Sequence, residues 1–318
     1  MEDVFDSDEI SAMLLLRRDL VAQGLSDNQI SRLRRGGVYE RVRYGAYFPG
    51  GIWDQMSDEA KHRVRARAVL RTAADDSILS HLSSVIERGV PVWGFDLSVV
   101  HTTRMLGKSG RNHRDWTQHR GRLNDDQVEL IEGIRVTRAA RSAVELTTIG
   151  TLEASVVAID GLLHAGCFTR QQLADEVEAC RHWPSSLTAD MVLRLVDGRH
   201  ESVGERRFDF LCFKQGLPRP EPQVDVHDAS GAFVARVDFA WPEYEVFLEF
   251  DGKQKYFDFR REGESLEQFL VREKQRQERV SLETGWFCIR ITWADLAQPA
   301  RLARRIRAIL KARGLAAA

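Results

Sequence analysis

Val237-Asp238-Phe239, followed by Leu248-Glu249-Phe250-Asp251-Gly252-Lys253, is the stretch that decides the fold of this chain. Both segments alternate apolar residues with acids, and this period of two is typical of β-strands. In the first strand the two apolar residues point to one face of the sheet, so Asp238 points to the other. In the second strand Glu249 likewise lies between two apolar residues. If the strands are hairpin neighbours, Asp238 and Glu249 stand side by side on one face.

Two adjacent carboxylates repel each other, so such a pair indicates a bound cation or one raised pKa. Oxygen ligands without nitrogen or sulfur partners favour Mg²⁺ or Mn²⁺ over zinc. Glu205 adds a third carboxylate at the edge of the apolar stripe of a preceding helix, and Lys253 and Lys255 follow the Asp-Gly turn. Paired acids on a half-exposed sheet can also form a plain solvated surface. The order of the surrounding elements favours the metal site over that alternative.

The elements around this pair form a helix–strand–strand–strand–helix–strand–helix series within residues 199–315. Periodicity and turn residues predict each of them, and Gly285 marks the end of the long second helix. The predicted bounds are Glu201–Gln215, Gln223–His227, Val234–Ala240, Glu245–Phe250, Ser265–Thr284, Trp286–Thr292 and 299–313. This order predicts one α/β domain that brings the three acids together.

Residues 199–298 resemble the PD-(D/E)XK nuclease superfamily, specifically its very-short-patch-repair-like endonuclease group. The pieces that carry the resemblance are Ser202-Val203-Gly204-Glu205, Val237-Asp238-Phe239, Glu249-Phe250-Asp251-Gly252, Glu273-Lys274 with Arg276, Gly285-Trp286 and Arg290-Ile291-Thr292-Trp293. The resemblance implies a restriction-endonuclease-like αβββαβ core that hydrolyses DNA phosphodiesters with Mg²⁺ or Mn²⁺.

The resemblance also implies a role for each residue of the site. The metal ligands it implies are Glu205, Asp238, Glu249 and the backbone carbonyl of Phe250. A lysine completes the catalytic set by stabilising the charge that develops on the phosphate. The family places this lysine two residues after the second strand's acid, where this chain has Asp251. The lysine role therefore passes to Lys253 or Lys255, or it is absent.

Two polar residues are expected to support the metal ligands from outside. One is Asp251, and the other is Glu273, which continues the apolar stripe of the helix Ser265–Thr284. Gln277 repeats this break in the stripe one turn later. A polar layer behind the metal site explains both residues, and a helix that leans off the sheet edge explains them equally well.

A winged helix–turn–helix is predicted for residues 8–50. Leu14–Val21 gives the first helix its apolar side, Ser26 is the N-cap of the second helix, and Val38–Phe48 forms a hairpin or wing. The segment resembles the winged helix–turn–helix of antitoxins from abortive-infection type IV toxin–antitoxin systems. The resemblance implies DNA contacts by Gln29, Arg32, Arg34, Arg35, Arg41 and Arg43. A winged domain that binds protein, with these arginines solvated, is the alternative.

Residues 51–195 are predicted to form a mixed α+β region, to which the sequence assigns no function. Histidines in its helical stretches, such as His62 and His81, are typical of surface or satisfied core residues. His101 and His119 lie near a basic loop that is compatible with DNA contact. We place neither pair in a catalytic role from the sequence.

Composition excludes several classes of protein. The chain has 318 residues and a net charge of −1 from 46 basic and 47 acidic residues, so its overall charge does not indicate nucleic acid. No apolar run approaches the ~18 residues of a membrane span, and the acidic N-terminus lacks the features of a signal peptide. We therefore expect a cytoplasmic protein without a membrane partner. Four scattered cysteines fit neither a zinc site nor a disulfide scaffold.

Two functions follow as hypotheses. The first is a DNA-binding protein with a Mg²⁺-dependent endodeoxyribonuclease domain, which acts in bacterial defence by analogy with the family. The second is an antitoxin-like transcriptional regulator whose nuclease fold is catalytically inactive, and Asp251 at the lysine position supports it. The three retained acids favour the nuclease. DNA is the expected partner in both cases, and the antitoxin resemblance adds a cognate toxin or defence partner.

Overall fold

A computed structural model describes residues 7–73, 76–105, 107, 110–228, 230–251 and 265–316. The chain divides into two compact units, Met1–Arg194 and Leu195–Ala318. Both units contain helices and sheets, so the mixed α/β class expected from the sequence is confirmed. The segments 8–50 and 51–194 lie in the first unit. No helix in the described ranges is both long and apolar enough to cross a membrane.

The first unit begins with three short helices and a small sheet. These elements are α1 (Ser7–Met13), β1 (Leu15–Leu16), α2 (Arg17–Ala22), α3 (Asp27–Arg35), β2 (Tyr39–Arg43) and β3 (Ala46–Pro49), with strand order β1-β3-β2. The prediction of one continuous first helix through Leu14–Val21 was wrong. Leu15 and Leu16 pair with Tyr47 and Ala46, and the Leu16 N–H donates to the Asp19 carboxylate at 3.0 Å. Leu15 and Leu16 therefore form a strand of the sheet, and this strand separates α1 from α2.

The rest of the first unit surrounds a six-stranded mixed sheet. Its helices are α4 (Gly50–Trp53), α5 (Asp58–Leu70), α6 (His81–Ile86), α7 (Ala139–Leu146), α8 (Leu152–His164), α9 (Arg170–Ala179) and α10 (Ser186–Leu195), which ends at the unit boundary. Its strands are β4 (Ser77–Leu79), β5 (Val100–Arg104), β6 (Arg111–Asn112), β7 (Trp116–His119), β8 (Val128–Ile131) and β9 (Ile134–Thr137). The strand order is β6-β7-β5-β4-β9-β8.

A neutral histidine lies in the core between α5 and α6. His62 Nδ1 lies 2.9 Å from the Leu97 carbonyl oxygen, and Nε2 lies 2.8 Å from Ser83 Oγ. Since a carbonyl only accepts, Nδ1 carries the proton and Nε2 accepts from the Ser83 hydroxyl. Burial lowers the pKa of His62 to about 4, because the charged imidazolium loses its hydration.

The second unit is a four-stranded sheet with helices on both faces. Its elements are α11 (Val203–Gln215), β10 (Glu221–His227), β11 (Phe233–Trp241), β12 (Val246–Asp251), α12 (Leu266–Thr284), β13 (Phe287–Thr292), α13 (Trp293–Leu296) and α14 (Pro299–Ala316). The strands follow the order β10-β11-β12-β13, antiparallel in the first two pairs and parallel in the last. The predicted elements of 199–315 are present with small shifts at their ends.

The side-chain alternation of β11 breaks at Asp238. Phe239 packs in the cluster that α11 and α14 cover, whereas Val237 packs in the opposite cluster with Val280 of α12. The expectation that Val237 and Phe239 share one face was therefore wrong. The local irregularity lies where Asp238 interacts with the neighbouring strand β12, as described below.

The N-terminus of α11 packs directly on β12 through Gly204. A Cβ built on Gly204 would lie 2.2 Å from Cε1 of Phe250, a side chain that is 3% exposed. Only a residue without a side chain lets the helix approach the ring this closely. The contact fixes where the residues that follow Gly204 meet the sheet.

We expect Gly204→Ala to lower the free energy of unfolding by about 1–3 kcal/mol, because the added methyl overpacks a filled site. Urea unfolding of the full chain measures this. Gly51→Ala is the matched control, since its Cβ would meet no atom within 4 Å. Adding Phe250→Leu to Gly204→Ala should recover part of the loss. Equal stability of the two alanine variants would contradict the contact.

We also expect the chain to lose stability as the pH falls from 6.5 towards 4. In that window His62 takes up a proton in the unfolded chain, where its pKa is near 6.5, but not in the folded chain, where its pKa is about 4. Each such histidine contributes about 1.4 kcal/mol per pH unit.

Urea unfolding at a series of pH values tests this, with His62→Gln as the variant. The variant should show a shallower decline than the wild type. Gln55→Ala, an exposed substitution that removes no titratable group, should keep the wild-type decline. A decline in His62→Gln as steep as that of the wild type would assign the effect to other groups.

Candidate functional site

Asp238 and Glu249 lie on the neighbouring strands β11 and β12. Phe239 and Leu248 are the last pair of this ladder, and the two acids are the next residue along each strand. Asp238 Oδ2 accepts the Phe250 backbone N–H at 2.7 Å, which places a side-chain oxygen where a strand normally supplies a carbonyl. Both acids are largely buried, with 8% and 7% of their surfaces exposed. The structure therefore holds the Asp238 carboxylate against the backbone of the residue that follows Glu249.

Arg276 of α12 neutralises Glu249. Its guanidinium donates to Glu249 Oε2 at 3.1 Å and to the backbone carbonyl of Arg236 at 2.8 Å. Arg276 lies one helical turn before Val280, which packs on the same side of the sheet as Phe247. The burial of Glu249 thus depends on an arginine of α12, a helix that is distant from β12 along the chain. In the sequence Arg276 is only part of the motif that carries the nuclease resemblance, and no role for it is evident there.

Glu205 is held by its own helix start and by one side chain of β10. Ser202 caps α11, and its hydroxyl donates to Glu205 Oε1 at 2.6 Å. Glu205 Oε2 accepts the Glu201 backbone N–H at 2.9 Å and the Gln223 amide at 2.8 Å. The carboxylate is fully buried, with 0% of the residue exposed. These donors satisfy a charge that burial would otherwise make costly.

Gln223 connects Glu205 to the strand pair and was missed from the sequence. Its neighbours Pro222 and Val224 pair with Phe239 and Val237, so Gln223 lies level with Asp238 in the sheet. Its φ is +53°, in the left-handed region that a residue with a side chain rarely adopts. Backbone strain of this kind is concentrated at functional sites. The proline-rich stretch before it was the only signal in the sequence, and it does not reveal φ.

The three predicted metal ligands do not form one metal-binding cluster. Among the side chains that the structure describes, no three His, Cys, Asp or Glu residues come together as a set able to hold a metal ion. Asp238 and Glu249 lie on neighbouring strands, and Glu205 accepts a hydrogen bond from Gln223, which is level with Asp238 on the other side of β11.

Four further predicted residues have different outcomes. Asp251 ends β12 half-buried, in register with Thr292 of β13. The predicted catalytic residues Lys253 and Lys255 lie outside the described residues. Glu273 falls within α12, but its side chain lies outside what the structure describes.

The arginines of the N-terminal segment are mostly exposed. Those on the surface are Arg32, Arg34, Arg35 and Arg41. Arg34 and Arg41 line a hollow of about 360 Å³ between α3 and the hairpin, together with Tyr44 and Tyr47. Such a basic and aromatic surface suits phosphate contact.

Two other residues predicted to contact DNA are engaged within the unit. Gln29 accepts the Ser26 backbone N–H at 2.8 Å, as part of the capping box of α3. Arg43 donates to Thr72 at 3.0 Å, forms an ion pair with Asp115 at 3.3 Å and lies over the Trp116 ring. The side chains of Gln29 and Arg43 thus stabilise the unit itself.

Comparison with known proteins adds relatives without a described function. No protein-family model matches this sequence. Two uncharacterized proteins of Mycobacterium tuberculosis, from strains CDC 1551 and H37Rv, are each 26% identical to it over 238 residues. These alignments cover 74% of this chain and 84% of each relative. The similarity extends over most of the chain and names no activity.

We expect Gln223→Gly to be more stable than Gln223→Ala by about 1 kcal/mol, because alanine at positive φ is strained and glycine is not. Both variants lose the amide that reaches Glu205, so the difference isolates the backbone. Urea unfolding of the full chain measures it.

The control is the same pair of substitutions at Glu221, an exposed position of the same strand. There alanine should be the more stable residue, since glycine weakens a regular strand. The same order of stability at both positions would contradict a strained Gln223.

Proposed function

We propose that the second unit is a PD-(D/E)XK-type endonuclease domain that hydrolyses DNA phosphodiesters. The observation that carries this proposal is the placement of Asp238 and Glu249 on neighbouring strands, with the Asp238 carboxylate bound to the N–H of the residue after Glu249. The series from α11 through β10, β11, β12 and α12 to β13 also agrees with the αβββαβ core that the resemblance implies. Glu205, which accepts a hydrogen bond from Gln223 of β10, would be the third acid of the motif.

The donor set suits a hard divalent cation. Mg²⁺ commonly binds one or two carboxylates and keeps several waters, so a carboxylate pair is sufficient. Asp238, Glu249 and the Phe250 carbonyl would hold Mg²⁺ or Mn²⁺ in this proposal. When bound, the metal would activate water and neutralise charge on the phosphate.

The protein's own groups would position these ligands. The Phe250 N–H fixes one oxygen of Asp238, and Arg276 fixes one oxygen of Glu249. Gln223 couples Glu205 to the strand on which Asp238 lies. Arg276 would also offset the negative charge of a phosphodiester that approaches the pair.

The first unit supplies a DNA-binding surface in this proposal. Its support is the exposed Arg32 on α3, together with Arg34 and Arg41, which line the hollow beside that helix. These positions match the winged helix–turn–helix interpretation. A cytoplasmic location, expected from the sequence, a defence role by analogy with the nuclease family, and a cognate toxin or defence partner from the antitoxin resemblance belong to the same proposal.

One observation favours the second candidate, an antitoxin-like regulator with an inactive nuclease fold. Each of the three acids already accepts hydrogen bonds from protein donors, and the described residues hold no three-ligand metal cluster. In that case the carboxylates serve the fold, and the protein binds DNA without cutting it.

Cleavage of supercoiled plasmid and single-stranded DNA with Mg²⁺ or Mn²⁺ separates the two candidates. We expect Asp238→Asn and Glu249→Gln to lower the rate by more than about 100-fold, the upper end of the loss when an outer-shell partner is removed. Asp225→Asn removes an exposed acid from the same sheet and should cut like the wild type.

The outcomes are distinct. If Asp238→Asn and Glu249→Gln both still cut DNA at the wild-type rate, these acids are not the catalytic site. If neither the wild type nor any variant cuts DNA, while wild type and Asp238→Asn retard DNA equally in a gel, the protein acts as the regulator. Loss of retardation in Arg32→Ala with Arg34→Ala would then locate the DNA surface at α3.

A further inference from the structure

A cavity in the first unit contains charged and aromatic groups that the nuclease proposal does not use. It has a volume of about 510 Å³, within the range of small-molecule sites. It opens beside the six-stranded sheet, where the start of α6, the end of β7 and the helix α7 converge. The lining residues that matter here are His81, His119, Arg120, Arg122, Arg141 and Trp183.

Stacked imidazoles form one wall. The rings of His81 and His119 stack with their centroids 3.6 Å apart, and His101 Nδ1 lies 2.8 Å from His119 Nε2. Burial lowers the pKa of His119 to about 4 and that of His101 to about 3. At neutral pH these rings are therefore uncharged, so they offer polar nitrogen atoms without adding charge.

The backbone that presents His81 is strained. Its φ is +51°, and its N–H donates to Glu145 Oε2 at 2.9 Å. A non-glycine residue in this region costs about 1–2 kcal/mol, so the surrounding contacts must impose it. The Ser80 hydroxyl, 3.0 Å from His81 Nδ1, is one of these contacts. Imposed strain beside a cavity is a mark of a functional site.

The charge of the cavity is positive. Buried Glu145 forms an ion pair with Arg141 at 3.1 Å, and the same arginine stacks on the Trp183 ring at 3.9 Å. Glu176, which does not line the cavity, pairs with the same arginine at 3.5 Å, so the charge of Arg141 is already offset by carboxylates of the protein. Arg120 and Arg122 are exposed at the rim, and in the described part of the chain neither has an acidic partner within ion-pair distance. Two guanidinium charges are thus left to face a ligand.

We propose that this cavity binds a small molecule that carries a phosphate monoester, with Arg120 and Arg122 on the phosphate and the His81–His119 stack beside it. A phosphate monoester has close to two negative charges at neutral pH, which matches the two available guanidiniums. Their planar forks also fit phosphate oxygens in pairs. This site lies in the first unit and stands independently of the nuclease proposal.

Isothermal titration calorimetry of the full chain tests the proposal, with inorganic phosphate and adenosine 5′-monophosphate as probes. We expect both probes to bind, the nucleotide more tightly because it fills more of the cavity. Arg120→Ala with Arg122→Ala should weaken binding by about 100-fold, which is tenfold for each charge-assisted contact. Arg111→Ala with Arg114→Ala is the control, since it removes two exposed arginines that do not line the cavity.

Fluorescence locates the site independently. Binding should change the tryptophan emission of the wild type, and Trp183→Phe should abolish this change while calorimetry still shows binding. Absence of binding by both probes, or equal weakening in both arginine pairs, would overturn the site. Succinate bound as tightly as adenosine 5′-monophosphate would overturn the choice of phosphate, because two carboxylates would then serve as well.

Discussion

The hydrogen bond from the Phe250 N–H to the Asp238 carboxylate is the interaction on which the second unit depends. It replaces part of the regular ladder between β11 and β12 at the point where the side-chain alternation of β11 reverses. This reversal lets Val237 and Phe239 serve opposite cores, each covered by different helices. Asp238 is therefore both a residue of the candidate site and a hydrogen-bond acceptor that holds the two strands together.

Elements on both sides of the sheet supply hydrogen-bond donors to the buried carboxylates of the candidate site. Arg276 reaches Glu249 from α12, while Gln223 and the capped start of α11 hold Glu205 from the other direction. A buried carboxylate costs several kcal/mol unless such donors surround it. The helices therefore do more than cover the sheet, because without them the acids would not tolerate burial.

The first unit contains histidines that are neutral at pH 7. His62 and His101 are buried and His119 is half-buried, and all three have lowered pKa values, so their rings act as neutral hydrogen-bonding groups rather than cations. Among the described residues that line the cavity, this neutrality leaves the arginines as the source of positive charge. The two units thus present contrasting sites, a carboxylate pair suited to a cation and an arginine pair suited to an anion.

Local pattern alone determined much of this protein. The series of helices and strands in 199–315 and the placement of Asp238 and Glu249 on neighbouring strands follow from periodicity and hairpin geometry, which depend on near neighbours in sequence. The break in side-chain alternation at Asp238 does not follow from them. The tertiary structure decided the left-handed φ of Gln223, the partner of Glu249, the break at Leu15 and the assembly of His81, His101 and His119. Those features arise from contacts between residues far apart in the chain, and no local pattern encodes which of them meet.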